Sequence, residues 1–115
     1  MSPRRMLLYD IPDGDQLIHQ YLAELTQTLS EFSAEFVEEH LKEVAEQGWI
    51  RTECRPAGEG LLQLDVLVGY GKRARVLFFE TPRGDYLALH AFTIGSDADA
   101  DRGFSIAARR MKDLL

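Results

Sequence analysis

Four side chains in the second half of the chain could do chemistry together: Lys72, Arg73 and Arg75 in one basic run, and His90 fifteen residues on. RNA can be cut by its own 2′-hydroxyl if a base removes the proton. The protein must then stabilise charge on the phosphorane and protonate the leaving oxygen. An arginine on a central strand suits the phosphate, and a histidine suits proton transfer near neutral pH. A plainer reading of the same residues stands beside this one. Lys72 and Arg73 would be solvated turn charges, Arg75 would pair with a glutamate, and His90 would be a hydrogen-bonded, half-buried strand residue.

Other chemistries find less support. His19, His40 and His90 fall on three different predicted elements, and no zinc or calcium motif joins them, so no metal and no cofactor is expected. The Asp97, Asp99 and Asp101 run lacks the glycine and closing glutamate of a calcium loop. Gly69-Tyr70-Gly71-Lys72 has neither the spacing of a phosphate loop nor a helix after it. Cys54 is the single cysteine, which excludes an internal disulfide, fits a reducing compartment and has no histidine near it in sequence. Net charge is −6. Nucleic-acid binders are usually basic, so this balance favours a basic protein partner over bare nucleic acid. No apolar run approaches the roughly 20 residues of a membrane helix. The basic start, Met1 to Arg5, precedes too short an apolar stretch for a signal peptide, so a cytoplasmic protein is expected.

The elements that must hold those side chains follow from periodicity. Leu62, Leu64, Val66 and Val68 alternate with Gln63, Asp65 and Leu67, the period of a strand with one buried face. Ala74 to Phe79 is apolar on both faces apart from Arg75, as in a covered central strand. Tyr86 to Phe92 forms a third run after the turn residues Pro82-Arg83-Gly84-Asp85. Upstream, Arg5 to Ile11 reads as a short strand, and Asp13 with Gln16 has a capping-box spacing before a helix over about residues 15–27. Thr28 to Glu31 repeats that spacing, and a second helix runs to about Gln47, with Phe36, Val37, Leu41, Val44 and Ala45 turned inward. Gly48 reads as its terminating glycine. Residues 51–59 read as a polar connection, and residues 93–99 as a loop before a last helix over about 99–114. The prediction is a single α+β domain over residues 1–115: N-terminal strand, two-helix hairpin, three-stranded antiparallel meander, C-terminal helix. Arg109, Arg110 and Lys112 lie near the end of that helix and add to the candidate RNA contacts.

That order of elements resembles the RelE/ParE superfamily of toxins from type II toxin–antitoxin systems, and within it the phage-derived, HigB-type toxins. The likeness spans almost the whole chain. Tyr9 to Gly14 and Tyr21 to Leu25 look like the family's opening strand and first helix, and Gly48-Trp49 like the end of its second helix. Gly60-Leu61-Leu62-Gln63-Leu64 is similar to its Gly-Leu-Trp-Glu-Leu stretch. Arg75 to Phe79 resembles Arg-Val-Leu-Tyr-Phe, and Leu89-His90-Ala91-Phe92 resembles Leu-His-Gly-Phe. Residues 107–114 match the closing helix.

The resemblance implies a RelE-like fold and an mRNA endoribonuclease acting on the ribosome, silenced by an antitoxin that usually carries a helix-turn-helix. It places Arg75 at a phosphate-contacting position. The chain also departs from the pattern. Asp65 and Leu67 stand where the family commonly has arginines, and Thr93, Ile94 and Gly95 stand where it has lysines. The turn before Arg75 is one residue longer. Fewer cations mean less phosphate affinity and less transition-state stabilisation. Two readings follow: a toxin ribonuclease of weakened activity, or a catalytically degenerate interaction module on the same scaffold that binds an antitoxin or a host protein.

Overall fold

The computed structural model describes residues 4–115; part of the basic start discussed above, residues 1–3, lies outside them. The chain is α+β, with a five-stranded mixed sheet and three helices. Strand β1 (Met6–Leu8) leads through a loop to α1 (Ile18–Thr28) and α2 (Glu31–Gln47). A 3-10 turn over Trp49–Arg51 precedes β2 (Arg55–Gly58), β3 (Leu61–Gly69), β4 (Lys72–Glu80) and β5 (Tyr86–Ile94), and α3 (Asp97–Leu114) closes the chain. Spatial order is β1-β5-β4-β3-β2. β2 to β5 pair antiparallel in succession, whereas β1 joins β5 in parallel, which makes the sheet mixed.

Alternation along the central strands sorts side chains into two cores. Ala74, Val76 and Phe78 of β4 pack with Leu64 and Val66 of β3 beneath Val37, Leu41 and Val44 of α2 and Ile18 and Leu22 of α1. Leu77 and Phe79 point the other way, onto Ala107, Ala108 and Met111 of α3. Each fully buried large apolar side chain contributes about 1.5–3 kcal/mol. β4 carries such residues on both faces, so it holds the layers together.

Several sequence expectations shift. Residues 51–59, read as a connection, contain edge strand β2; Pro56 lacks an N–H and masks the hydrophobic signal there, a residue type tolerated at a sheet edge. Thr93 and Ile94, read as loop, continue β5. Helix α1 starts at Ile18, and Asp13 does not cap it: Asp13 accepts from the Asp15 N–H at 3.2 Å, an Asx turn, while Gln20 Oε1 accepts from the Leu17 N–H at 3.2 Å. Phe36 is exposed rather than inward, because Ser33, Ala34, Val37, Leu41 and Val44 form the buried stripe of α2. Ser33 is turned in by a hydrogen bond to the Val68 carbonyl at 2.7 Å, which rotates Phe32 and Phe36 outward. Gly48 does end α2, with φ of +85° and its N–H on the Val44 carbonyl, and Tyr86 Oη accepts from the next N–H, Trp49, at 3.1 Å.

Candidate functional site

Arg75 lies directly across from Asp65 on neighbouring strands, so both side chains leave the same face of the sheet. They meet in a two-pronged pair: Nε donates to Asp65 Oδ1 at 2.8 Å and a terminal nitrogen to Oδ2 at 3.0 Å. Both are largely shielded, with 19% and 16% of their side chains exposed. This geometry is the strong form of an arginine–carboxylate contact. The partner is an aspartate from the adjacent strand, where the plainer sequence reading named a glutamate. Arg55 on β2 approaches the same carboxylate at 3.6 Å, and Gln63, with its amide oxygen toward the guanidinium groups, accepts from Arg75 and Arg55 at 3.2 and 3.3 Å.

Register extends this face. Arg73 lies opposite Leu67 and Ile94, and Arg75 opposite Phe92, so alternation brings Arg55, Arg73 and Arg75 to one side of the sheet beyond the ground that α3 covers. Arg55 was missed from sequence because its segment reads as loop; the only available signal was an arginine beside a proline, too common to use. Lys72 and Arg73 are exposed, and neither enters an ion pair among the described residues. Alternation sends Lys72 to the opposite face from Arg73 and Arg75.

His90 is on the same face as Arg75, opposite Leu77, but its ring turns toward α3 and not toward Asp65. It is 5% exposed, stacks on Phe92 with ring centres 5.4 Å apart, and has Nδ1 3.4 Å from a terminal nitrogen of Arg110. Burial first, then the positive charge of Arg110, pushes its pKa down to about 4, so the ring is neutral at pH 7. A guanidinium has no acceptor, so Nδ1 must accept and the ring proton sits on Nε2. The one basic nitrogen of this histidine therefore faces a buried cation. It is badly placed to take a proton from a ribose hydroxyl.

Arg110 requires a correction. Expected among the RNA contacts, it is 0% exposed. Its guanidinium donates to both oxygens of Asp13 at 2.8 and 2.9 Å and to the Leu89 carbonyl at 2.6 Å, and it stands 4.7 Å from the centre of the Tyr9 ring. It has no surface to offer a polyanion. Arg110 in turn holds the Asp13 carboxyl well below the usual range, chiefly through those hydrogen bonds. Arg109 is half-exposed and bonds to Asp13 and Asp15, with Arg102 reaching Asp15 at 3.6 Å. Lys112 is exposed on the same half of α3, whose Ala107, Ala108 and Met111 pack with Leu61, Leu77 and Phe79. The basic residues read from sequence thus fall into two groups, one at the β3–β4 hairpin and one on α3, not into one patch. Cys54 is half-buried, and burial pushes its thiol up, away from thiolate chemistry. No helix among the described residues is long and apolar enough to cross a membrane.

No family model matches this chain, and no curated protein matches it.

Proposed function

We propose that the chain is a protein-interaction module on a RelE-like scaffold of the HigB type, with nuclease chemistry weakened or lost, and that its partner is a small basic or helix-turn-helix protein of the antitoxin kind. The observation that carries this reading is the clamp of Asp65 on Arg75. A phosphate seeking that guanidinium must displace a two-pronged, part-buried carboxylate, and the nearby histidine has its basic nitrogen turned to Arg110. Support for a protein partner comes from the acidic balance of −6 and from apolar side chains left in water: Phe32 and Phe36 on α2 beside Glu31, Glu35 and Glu39, and Tyr70, 89% exposed, at the hairpin tip. A basic amphipathic segment complements such a surface by charge and by apolar area.

The toxin ribonuclease is the second reading, and one arrangement favours it: Arg55, Arg73 and Arg75 share an open sheet face with a single aspartate. Expression of the wild-type protein without a partner separates the two. The interaction module leaves growth and transcript ends unchanged and forms a stoichiometric complex with a neighbouring-gene helix-turn-helix protein. Growth arrest with new transcript ends, both removed by Arg75→Ala in a folded protein, would establish the nuclease instead.

A further inference from the structure

The two outer strands of the sheet are built differently. β2 carries Pro56 and an irregular register between Pro56 and Gly58, both of which discourage a further strand from pairing there. β1 is an apolar run, Met6-Leu7-Leu8, with neither feature. Leu7 and Leu8 are 39% and 37% exposed, and Ile11 just beyond them is 52% exposed. The backbone shows which groups of β1 are spare. The Tyr86 N–H donates to the Arg5 carbonyl and the Tyr9 N–H to the Ala88 carbonyl, so the odd-numbered residues face β5. Along a strand, successive residues turn their N–H and C=O to opposite sides. Met6 and Leu8 therefore present theirs outward, and among the described residues no strand lies beyond β1 to meet them.

A second copy of the same strand, running antiparallel, satisfies both residues at once. We propose that the chain forms a two-fold symmetric dimer by pairing β1 with β1 of a second copy, in the register centred on Leu7. Met6 of each copy then exchanges N–H and C=O bonds with Leu8 of the other, and Leu7 faces Leu7 at the axis. Charge selects this register. It sets Asp10, exposed and in no ion pair among the described residues, opposite Arg4. Centring on Met6 would set Arg4 against Leu8, and centring on Leu8 would set Asp10 against Met6. Arg4 already bonds to Glu80 at 2.8 Å, yet its side chain is 44% exposed and a guanidinium has five N–H donors. Opposed residues leave the same face, so Leu8 of the second copy meets Met6 at a groove of about 310 Å³ lined by Met6, Leu8, Leu22, Leu41 and Ala45. A partner of another sequence would need the same edge spacing and the reversed charges; a second copy supplies both by symmetry. The pairing involves the chain alone and rests on neither reading of its function.

Sedimentation of the chain without any partner, from about 1 to 300 µM, reads the association. A monomer–dimer equilibrium in the micromolar range is expected, as fits a contact at the small end of stable interfaces. Leu8→Pro deletes an outward N–H that the monomer does not use, so it keeps the amide NMR spectrum of the folded chain and weakens dimerisation by at least about tenfold. Asp10→Lys places like charges opposite each other and weakens it by about threefold or more. Oxidation in a Cys54→Ser background reads the register. Leu7→Cys cross-links two copies, because a non-hydrogen-bonded antiparallel pair holds its Cα atoms about 4.5 Å apart, within disulfide reach, whereas Leu8→Cys does not. A chain still monomeric at about 300 µM, a dimer unmoved by either of the first two variants, or cross-linking through position 8 instead of position 7 each overturns the proposal.

Discussion

Two arginine–aspartate pairs, built from the same chemical groups, behave differently because of what encloses them. Asp65–Arg75 joins directly opposed residues on adjacent strands, and water still reaches part of both side chains. Asp13–Arg110 joins a loop to a helix, with the guanidinium at 0% exposure and a carbonyl and an aromatic ring taking its remaining faces. The first pair silences a candidate functional cation at modest energetic stake. In the second, removing the aspartate alone leaves Arg110 buried and uncompensated, whereas Asp13 is partly solvated and also reaches Arg109. The contrast teaches that in this molecule the functional question and the stability question fall on different arginines.

The contrast can be broken most forcefully at Asp13. Asp13→Asn leaves Arg110 buried without its counter-ion and is expected to cost about 3 kcal/mol of unfolding free energy, the lower end for a buried pair because Asp13 is partly solvated. Denaturant melts check this, and Arg110→Met in the same background should recover a good part of the loss. If Asp13→Asn changes stability no more than a surface substitution, the sealed pair is not what holds the loop to α3.

Acidification sharpens the same distinction in two windows. The folded His90 value of about 4 lies below the unfolded value near 6.5, so the unfolded chain binds more protons between them. Stability therefore falls as pH drops from about 6.5 to 4, by up to roughly 3 kcal/mol, and His90→Gln should flatten that span. Asp13 is depressed, so its contribution is intact above the ordinary aspartate value of about 3.9 and is lost as pH falls below it. A stability profile level between pH 6.5 and 4 in the wild type would contradict the placement of His90.

Gly103→Ala drives a Cβ into the Phe92 ring and is expected to cost about 1–3 kcal/mol, read from thermal or denaturant melts. A neutral result would mean that Phe92 moves freely. Smallest in stability is Asp65→Asn, about 1–2 kcal/mol, because the amide keeps one acceptor for Arg75 and loses the charge of a largely shielded pair. Its value lies in function, since it releases Arg75: binding of single-stranded RNA, measured against salt, should rise relative to wild type. Unchanged RNA binding would show that the clamp is not what withholds the arginine face.

Much of the layering was legible beforehand. The period-two alternation in β3, the doubly apolar β4 and the turn at Pro82 to Asp85 each report a local preference of a few neighbouring residues for one backbone shape and one buried side. Where legibility failed, a side-chain contact from elsewhere overruled the local pattern. Phe36 stands beside Val37 and reads as inward with it, yet the bond from Ser33 to the Val68 carbonyl turns it to solvent. Asp13 has a cap's spacing, yet its carboxylate is drawn to a guanidinium ninety-seven positions away.

From the string of residues alone came an α+β chain with its apolar strands and helices, an acidic balance, and the short roster of arginines, lysines and one histidine able to meet a phosphate. Which of those groups remain available was settled only when the chain closed on itself. Cross-strand register set Asp65 against Arg75, and the docking of α3 buried Arg110 and fixed the His90 proton on Nε2. Periodicity records how each segment meets water, but an ion pair depends on distances between segments, and those exist only in the packed fold.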